Sequence, residues 1–154
     1  WYPLSYLELN ELMDIIEDKI EKLKDTMALP VKVALSYCQD SNIQSSGDII
    51  IRGRGEYVSQ IAANGSIEFL QEKSVARGGI LKAKNEIKCK IVGSVAGVST
   101  KLQVESNDGH IWADVAYHNT VFKIGNKEII LDSPSKNVHV YLKEGNIVVD
   151  KFVL

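Results

Sequence analysis

Apolar residues recur along this chain at two different periods. Near the start they advance by alternating threes and fours, at Tyr6, Leu9, Met13, Ile16, Ile20 and Leu23, with Leu12 and Ile15 widening the stripe. That spacing is the a/d seam of an amphipathic helix. Leu7 to Lys24 holds neither Gly nor Pro and is rich in Leu, Glu, Ile and Lys, all compatible with helix. Pro3 stands just ahead, where proline is tolerated. Ser5 followed by Glu8 has the form of a capping box. Pro30 pushes Leu29 out of the α region and ends the element. Beyond it the period drops to two, with Val31, Val33 and Leu35 alternating as a strand.

The alternation then repeats itself. Ile43–Ile51 is echoed by Ile61–Phe69, then by Val75–Ala83, and in weaker form by Cys89–Gly97. Each copy is an apolar residue, three fillers, a glycine, then apolar residues at every second position. The glycines fall at 47, 65, 79 and 93, at intervals of 18, 14 and 14. Such a cycle is too short for crossover helices and too even for independent hairpins, so each copy is expected to go once around a coil whose like positions stack. Ile49, Ile67, Leu81 and Val95 are expected to form one inward ladder, and Ile51, Phe69 and Ala83 another. The fold class expected is mainly β: a short right-handed parallel β-helix with an N-terminal amphipathic helix and a C-terminal antiparallel cap.

Ser106-Asn-Asp-Gly109 breaks the pattern. Further strands follow: Ile111–Tyr117, Phe122–Ile124, Ile129–Leu131 and Val138–Leu142. Gly125-Asn126 reads as a turn, and Glu144-Gly145-Asn146 as a hairpin leading into Ile147 and Val149. Short turns between sequential strands predict antiparallel pairing that caps the last coil. The expected division is a helix over 1–28, coils over 29–105 and a closing β section over 106–154, within one structural domain.

At 154 residues the chain has enough length for one real core. A net charge of −2 predicts no bulk attraction for nucleic acid or membrane. Cys38 and Cys89 are too few for a disulfide framework, which fits a reducing compartment. No apolar run reaches membrane-spanning length, so no membrane insertion is expected. The first residue is Trp1 rather than Met, and a segment of something longer is expected.

Candidate chemistry is sparse. Arg52-Gly-Arg54-Gly55 is glycine-rich and basic but lacks the Walker lysine and serine, and reads as a turn between coil strands. His110, His118 and His139 are far apart in sequence with no metal-ligand spacing. No GxSxG occurs. Neither a catalytic residue, a metal site nor a cofactor site is assigned. Lys82, Lys84, Lys88 and Lys90 alternate with Leu81, Ala83, Ile87, Cys89 and Ile91, so all four are expected to face outward as a partner-binding row or as a plain solvated face. The seam of Leu9, Met13, Ile16, Ile20 and Leu23 either packs on its own domain or pairs as a coiled-coil arm, giving a homodimer in this chain.

Several segments carry a resemblance: Ser46–Ile49, Ala62–Ile67, Ser74–Gly79, Ile91–Thr100 (IVGSVAGVST), and the tail Ile111–Asn126. Together they resemble the β-helical region and closing strands of the bacterial flagellar assembly protein A family, over about Ser41 to Leu142. The Tyr6–Leu23 seam is similar to one arm of that family's coiled-coil section. The resemblance implies a non-enzymatic cytoplasmic protein that acts in flagellar assembly or placement through protein partners whose identity it does not give. More distantly, the coils are similar to the β-helix of the MinC cell-division inhibitor and to bactofilin scaffolds, an alternative in which the module self-assembles. A carbohydrate-acting β-helix enzyme is a further alternative, which a groove lined with carboxylates and aromatics would favour.

Overall fold

A computed structural model describes residues 5–27 and 30–154. Helix α1 runs Tyr6–Met27, and twelve strands follow. They are β1 (Val33–Gln39), β2 (Asn42–Ser45), β3 (Ile49–Ala63), β4 (Ser66–Phe69), β5 (Val75–Ala83), β6 (Glu86–Val92), β7 (Thr100–Val104), β8 (His110–Ala116), β9 (Thr120–Ile124), β10 (Lys127–Ile130), β11 (Ser135–Lys143) and β12 (Asn146–Val153). The capping box forms as read: the Glu8 N–H donates to Ser5 Oγ at 3.2 Å, and the Ser5 N–H donates to Glu8 Oε2 at 2.8 Å. The expected roles of Pro3 and of the helix exit at residues 28–29 lie outside the described residues.

The strands wind into a β-solenoid of about five turns. Val33, Ile49, Ile67, Ile87 and Ile111 stack in register, so a turn lengthens from 16 residues to 24 along the axis. Each turn has three sides. One is built by Val33–Leu35, Ile49–Ile51, β4, the first part of β6 and the first part of β8. A second is built by Tyr37–Gln39, Gly55–Tyr57, Val75–Arg77, Ile91–Val92 and Val115–Ala116. The third stacks β2, Ser59–Ala63, Gly79–Ala83, β7 and β9. The interior is filled by three sets of side chains. Ile49, Ile67, Ile87 and Ile111 fill one, Ile61, Leu81, Leu102 and Phe122 the next, and Cys38, Glu56, Ala76, Val92 and Ala116 the last.

Two expectations about phase need correction. The third copy, Val75–Ala83, does not stack on Ile61–Phe69; it stacks on Gly55–Ala63, so Leu81 sits on Ile61 and Leu102, and Ala83 on Ala63 and Val104. Val95 lies between β6 and β7 and is 77% exposed, not part of a ladder. A glycine followed by alternation marks a corner, and a three-sided coil has three corners per turn. Gly47 and Gly65 stand at one corner, whereas Gly79 and Gly93 stand at another. The second correction concerns residues 106–124. Strand β8 pairs parallel with β6, and β9 pairs parallel with β7, so the coils run on to Ile124. Antiparallel pairing begins only with β10 on β9 and with β11 between β8 and β12. A short loop such as Ser106–Gly109 serves a corner as well as a hairpin, and at a corner the chain moves to the next side and keeps its direction.

The cap does cover the last turn: Phe122, Ile124, Leu131, Val138 and Val140 are all buried. Both predicted turns form. Ile124 pairs with Lys127 across Gly125-Asn126, and Lys143 pairs with Asn146 across Glu144-Gly145, where both residues have positive φ.

One corner stores strain. Asp40 (φ 46°), Val58 (φ 50°), Gly78 (φ 77°) and Asn119 (φ 65°) each turn the chain from the second side to the third in the left-handed region. Gly, Asn and Asp suit that region, but a β-branched residue does not. Val58 is 59% exposed and buries little in return. Val58→Asn should raise the melting temperature by a few degrees, corresponding to about 1 kcal/mol. A fall in calorimetry would show that the exposed methyl groups outweigh the backbone cost.

Candidate partner-binding surfaces

Among the described residues, none covers the helix seam. Leu9, Met13, Ile16, Ile20 and Leu23 are 45–57% exposed, and every described side chain of α1 is exposed. Of the two expectations for this helix, packing against its own domain is therefore not what the structure shows. A stripe this apolar is unfavourable in water, and a 22-residue helix without tertiary support is marginal.

The four lysines do not form one row. Lys82, Lys84 and Lys88 are exposed and Lys90 is half-buried, but the Lys84–Asn85 corner divides them. Lys82 stands on the third side, beside Ala62 and Gln103, while Lys88 stands on the first, beside Glu68 and Trp112. Three are also neutralised: Lys82 by Glu105 at 3.1 Å, Lys88 by Glu86 at 3.7 Å and Lys90 by Asp114 at 3.7 Å. Exposed pairs of this kind contribute little stability, yet they remove the concentrated charge that a docking row needs.

Two histidines that sequence separates by 29 positions meet. His110 lies on β8 and His139 on β11, and the antiparallel return of β11 brings His110 Nδ1 to 2.8 Å from His139 Nε2. Trp112 stacks on His139 with centroids 3.5 Å apart and planes 4° apart, and Tyr141 lies 4.6 Å from His139 on the same strand. The Trp112 indole N–H donates to Glu86 Oε1 at 2.8 Å. Asp150 stands opposite His139 across β12. Burial holds the His139 imidazole below its ordinary pKa, His110 adds to that effect, and Asp150 and Glu86 oppose it. Neutral imidazoles can share one proton along the 2.8 Å contact, whereas two imidazolium ions would repel. The ring faces are largely taken up by one another, so the cluster is a clasp between the last parallel coil and the cap, not an open platform. The alternation of His110, Trp112 and Asp114 shows that these residues share a face; only the register of β11 brings His139 and Tyr141 to it. His118 stands apart, beside Gly97.

The interior holds one group that sequence reading passed over. Glu56 is fully buried between Cys38 and Ala76, with the Ser59 N–H donating to its Oε2 at 3.1 Å and no partner on Oε1. Burial raises its pKa to about 7, against the lowering effect of backbone hydrogen bonds from Ser59 and Arg77. Cys38 and Cys89 are free, buried thiols, both pushed up first of all by burial. Thiols so placed are packing groups and poor nucleophiles.

The apolar cleft of about 280 Å³ at the capped end is lined by Phe122, Ile129, Ile130, Leu131 and Val149, with Asp132 and Lys151 paired at 3.4 Å beside it. No described helix is long and apolar enough to cross a membrane. No family model and no curated protein matches the chain. Among solved structures, the chain is similar to one in the MinC:MinD cell division protein complex of Aquifex aeolicus, with a TM-score of 0.31 and 12% identity over 79% of this chain and 87% of that one, a likeness too slight to carry a functional argument.

Proposed function

We propose that this chain is a non-enzymatic scaffold or adaptor of the flagellar assembly protein A type, in which a rigid β-solenoid is coupled to other polypeptides in the bacterial cytoplasm. The observation that carries this reading is the uncovered seam of α1 beside a solenoid whose interior is already filled. A filled solenoid offers outer surfaces, and an uncovered seam requires another helix. The sequence resemblance at Ser46–Ile49, Ala62–Ile67, Ser74–Gly79 and Ile91–Thr100 supplies the flagellar part of the proposal.

The helix's own charges favour self-pairing in one orientation. Glu8 to Asp18 carries five carboxylates and no cation, whereas Lys19 to Lys24 carries three lysines against one glutamate. Parallel pairing would set the acidic halves against each other. Antiparallel pairing sets each acidic half against the other copy's lysines, with Leu9 layered on Ile20 and Met13 on Ile16. Self-assembly by stacking of coil ends is the second reading, favoured by the β1–β2 edge, where Val33, Leu35 and Ile43 remain partly exposed.

The flagellar part has a direct test. Deleting the corresponding gene in a flagellated host should reduce or misplace flagella, with motility restored by the wild-type chain in its natural context. Normal flagellar number and position after deletion would overturn that assignment.

A further inference from the structure

The glycines of Arg52-Gly-Arg54-Gly55 are accounted for by the coil. A β-carbon on Gly53 would lie 2.5 Å from the Ser36 carbonyl oxygen, and one on Gly55 would lie 2.0 Å from that of Val75. The neighbouring turns approach too closely for any side chain there. The arginines need a separate account.

All three arginines of the chain, Arg52, Arg54 and Arg77, belong to neighbouring turns of the solenoid. Two of them lie over tyrosine rings on the outside of the second side. The Arg54 guanidinium carbon is 4.9 Å from the centroid of Tyr37, and that of Arg77 is 5.5 Å from the centroid of Tyr57. The two rings are themselves 5.7 Å apart. Arg77 Nε also donates to the Gly93 carbonyl at 3.4 Å. Ion pairs among the described residues are made by lysines, and none by Arg52, Arg54 or Arg77.

We infer that Tyr37, Arg54, Tyr57 and Arg77, with Arg52 at the margin, form a docking surface for an acidic segment of a protein partner. A guanidinium held over an aromatic ring leaves its edge N–H groups available, at Arg77 those of the two terminal nitrogens because Nε already donates to Gly93. These form the fork that a carboxylate accepts bidentately. Ring contact also fixes the side chain in advance, which lowers the entropy lost on binding. Arginine and tyrosine are the residue types that concentrate binding energy at protein interfaces. A nucleic-acid strand fits less well, because the chain is net negative and three cations are few against the six to ten phosphate contacts typical of such sites. The inference rests on the scaffold reading for its premise that the solenoid has a protein partner. The two fail separately, since helix pairing is read by mass and this surface by peptide binding.

A fluorescein-labelled 12-residue peptide of alternating Glu and Ala, titrated with the full chain and followed by anisotropy, tests the assignment. Binding should weaken as salt is raised. Arg54→Gln/Arg77→Gln should lower affinity at least tenfold, with the circular dichroism spectrum unchanged. Arg54→Lys/Arg77→Lys should recover only part of it, because the charge returns without the fork. Neutralising Lys82, Lys84, Lys88 and Lys90 together to Gln should change affinity less than threefold. The inference is overturned by equal losses in the arginine and lysine variants, by no peptide binding at low salt, or by tighter binding of an oligo(dT) of equal charge.

Discussion

Ile67→Asp should abolish the cooperative thermal transition of the solenoid, while Lys84→Glu should move it by no more than about two degrees. Ile67 is fully buried between Ile49 and Ile87. Replacing it removes about 2–3 kcal/mol of apolar burial and places a carboxylate where no cation is available. Each turn is held mainly by its neighbours, so a failed layer in the third of five separates the first two turns from the last two. Lys84 sits at an exposed corner, and exposed substitutions usually stay within about 0.5 kcal/mol. Calorimetry on the two variants checks the register: equal shifts would mean that the inward and outward positions are exchanged.

Glu56 should make the protein less stable as pH rises through the weakly acidic range, the reverse of ordinary acid denaturation. Its carboxyl is raised from 4.5 to about 7 in the folded state. Between these values the folded protein holds a proton that the unfolded chain has released. Stability therefore falls as pH rises from about 4.5 to 7 and is flat above, a total of about 3 kcal/mol. Glu56→Gln should match the wild type near pH 4.5 and exceed it by about 2–3 kcal/mol at pH 8. His139 acts in the opposite sense: its lowered pKa gives stability that is present above 6.5 and lost as pH falls below it. The difference between wild type and Glu56→Gln isolates the carboxylate from that contribution. Parallel urea midpoints for the two proteins across pH 4.5–8 would contradict the burial of Glu56 as an acid.

The coil architecture was legible because inward residues must be apolar and alternate, and the sequence keeps that rule at Ile49, Ile51, Ile67 and Phe69. Phase was less legible. Leu81 and Val95 carry the same local signature as Ile67, but a corner glycine does not say which of three corners it serves. The parallel direction of β8 and β9 was hidden for a similar reason, since Ser106–Gly109 has the composition of any tight loop. The His110–His139 clasp depends on the register of β11 against β8, which no local pattern encodes. Glu56 sits at an alternating position where the sequence reads as an outward charge beside Tyr57. The shift of phase at the Gly53–Gly55 corner turns it inward. The lysines were rightly read as outward, but a one-dimensional alternation could not show the Lys84–Asn85 corner between them. The helix was legible down to its capping box. Whether its seam was covered depended on contacts at distant positions, and the structure shows none over Leu9, Met13, Ile16, Ile20 or Leu23.

That uncovered seam is the centre of the account, and the molar mass of the chain in solution tests it most directly. Sedimentation equilibrium at about 100 μM should give twice the 17.1 kDa of one chain. Ile16→Glu/Ile20→Glu should give a folded species at 17.1 kDa with an unchanged β signal in circular dichroism. A wild-type chain that sediments at 17.1 kDa at that concentration would contradict the pairing of α1.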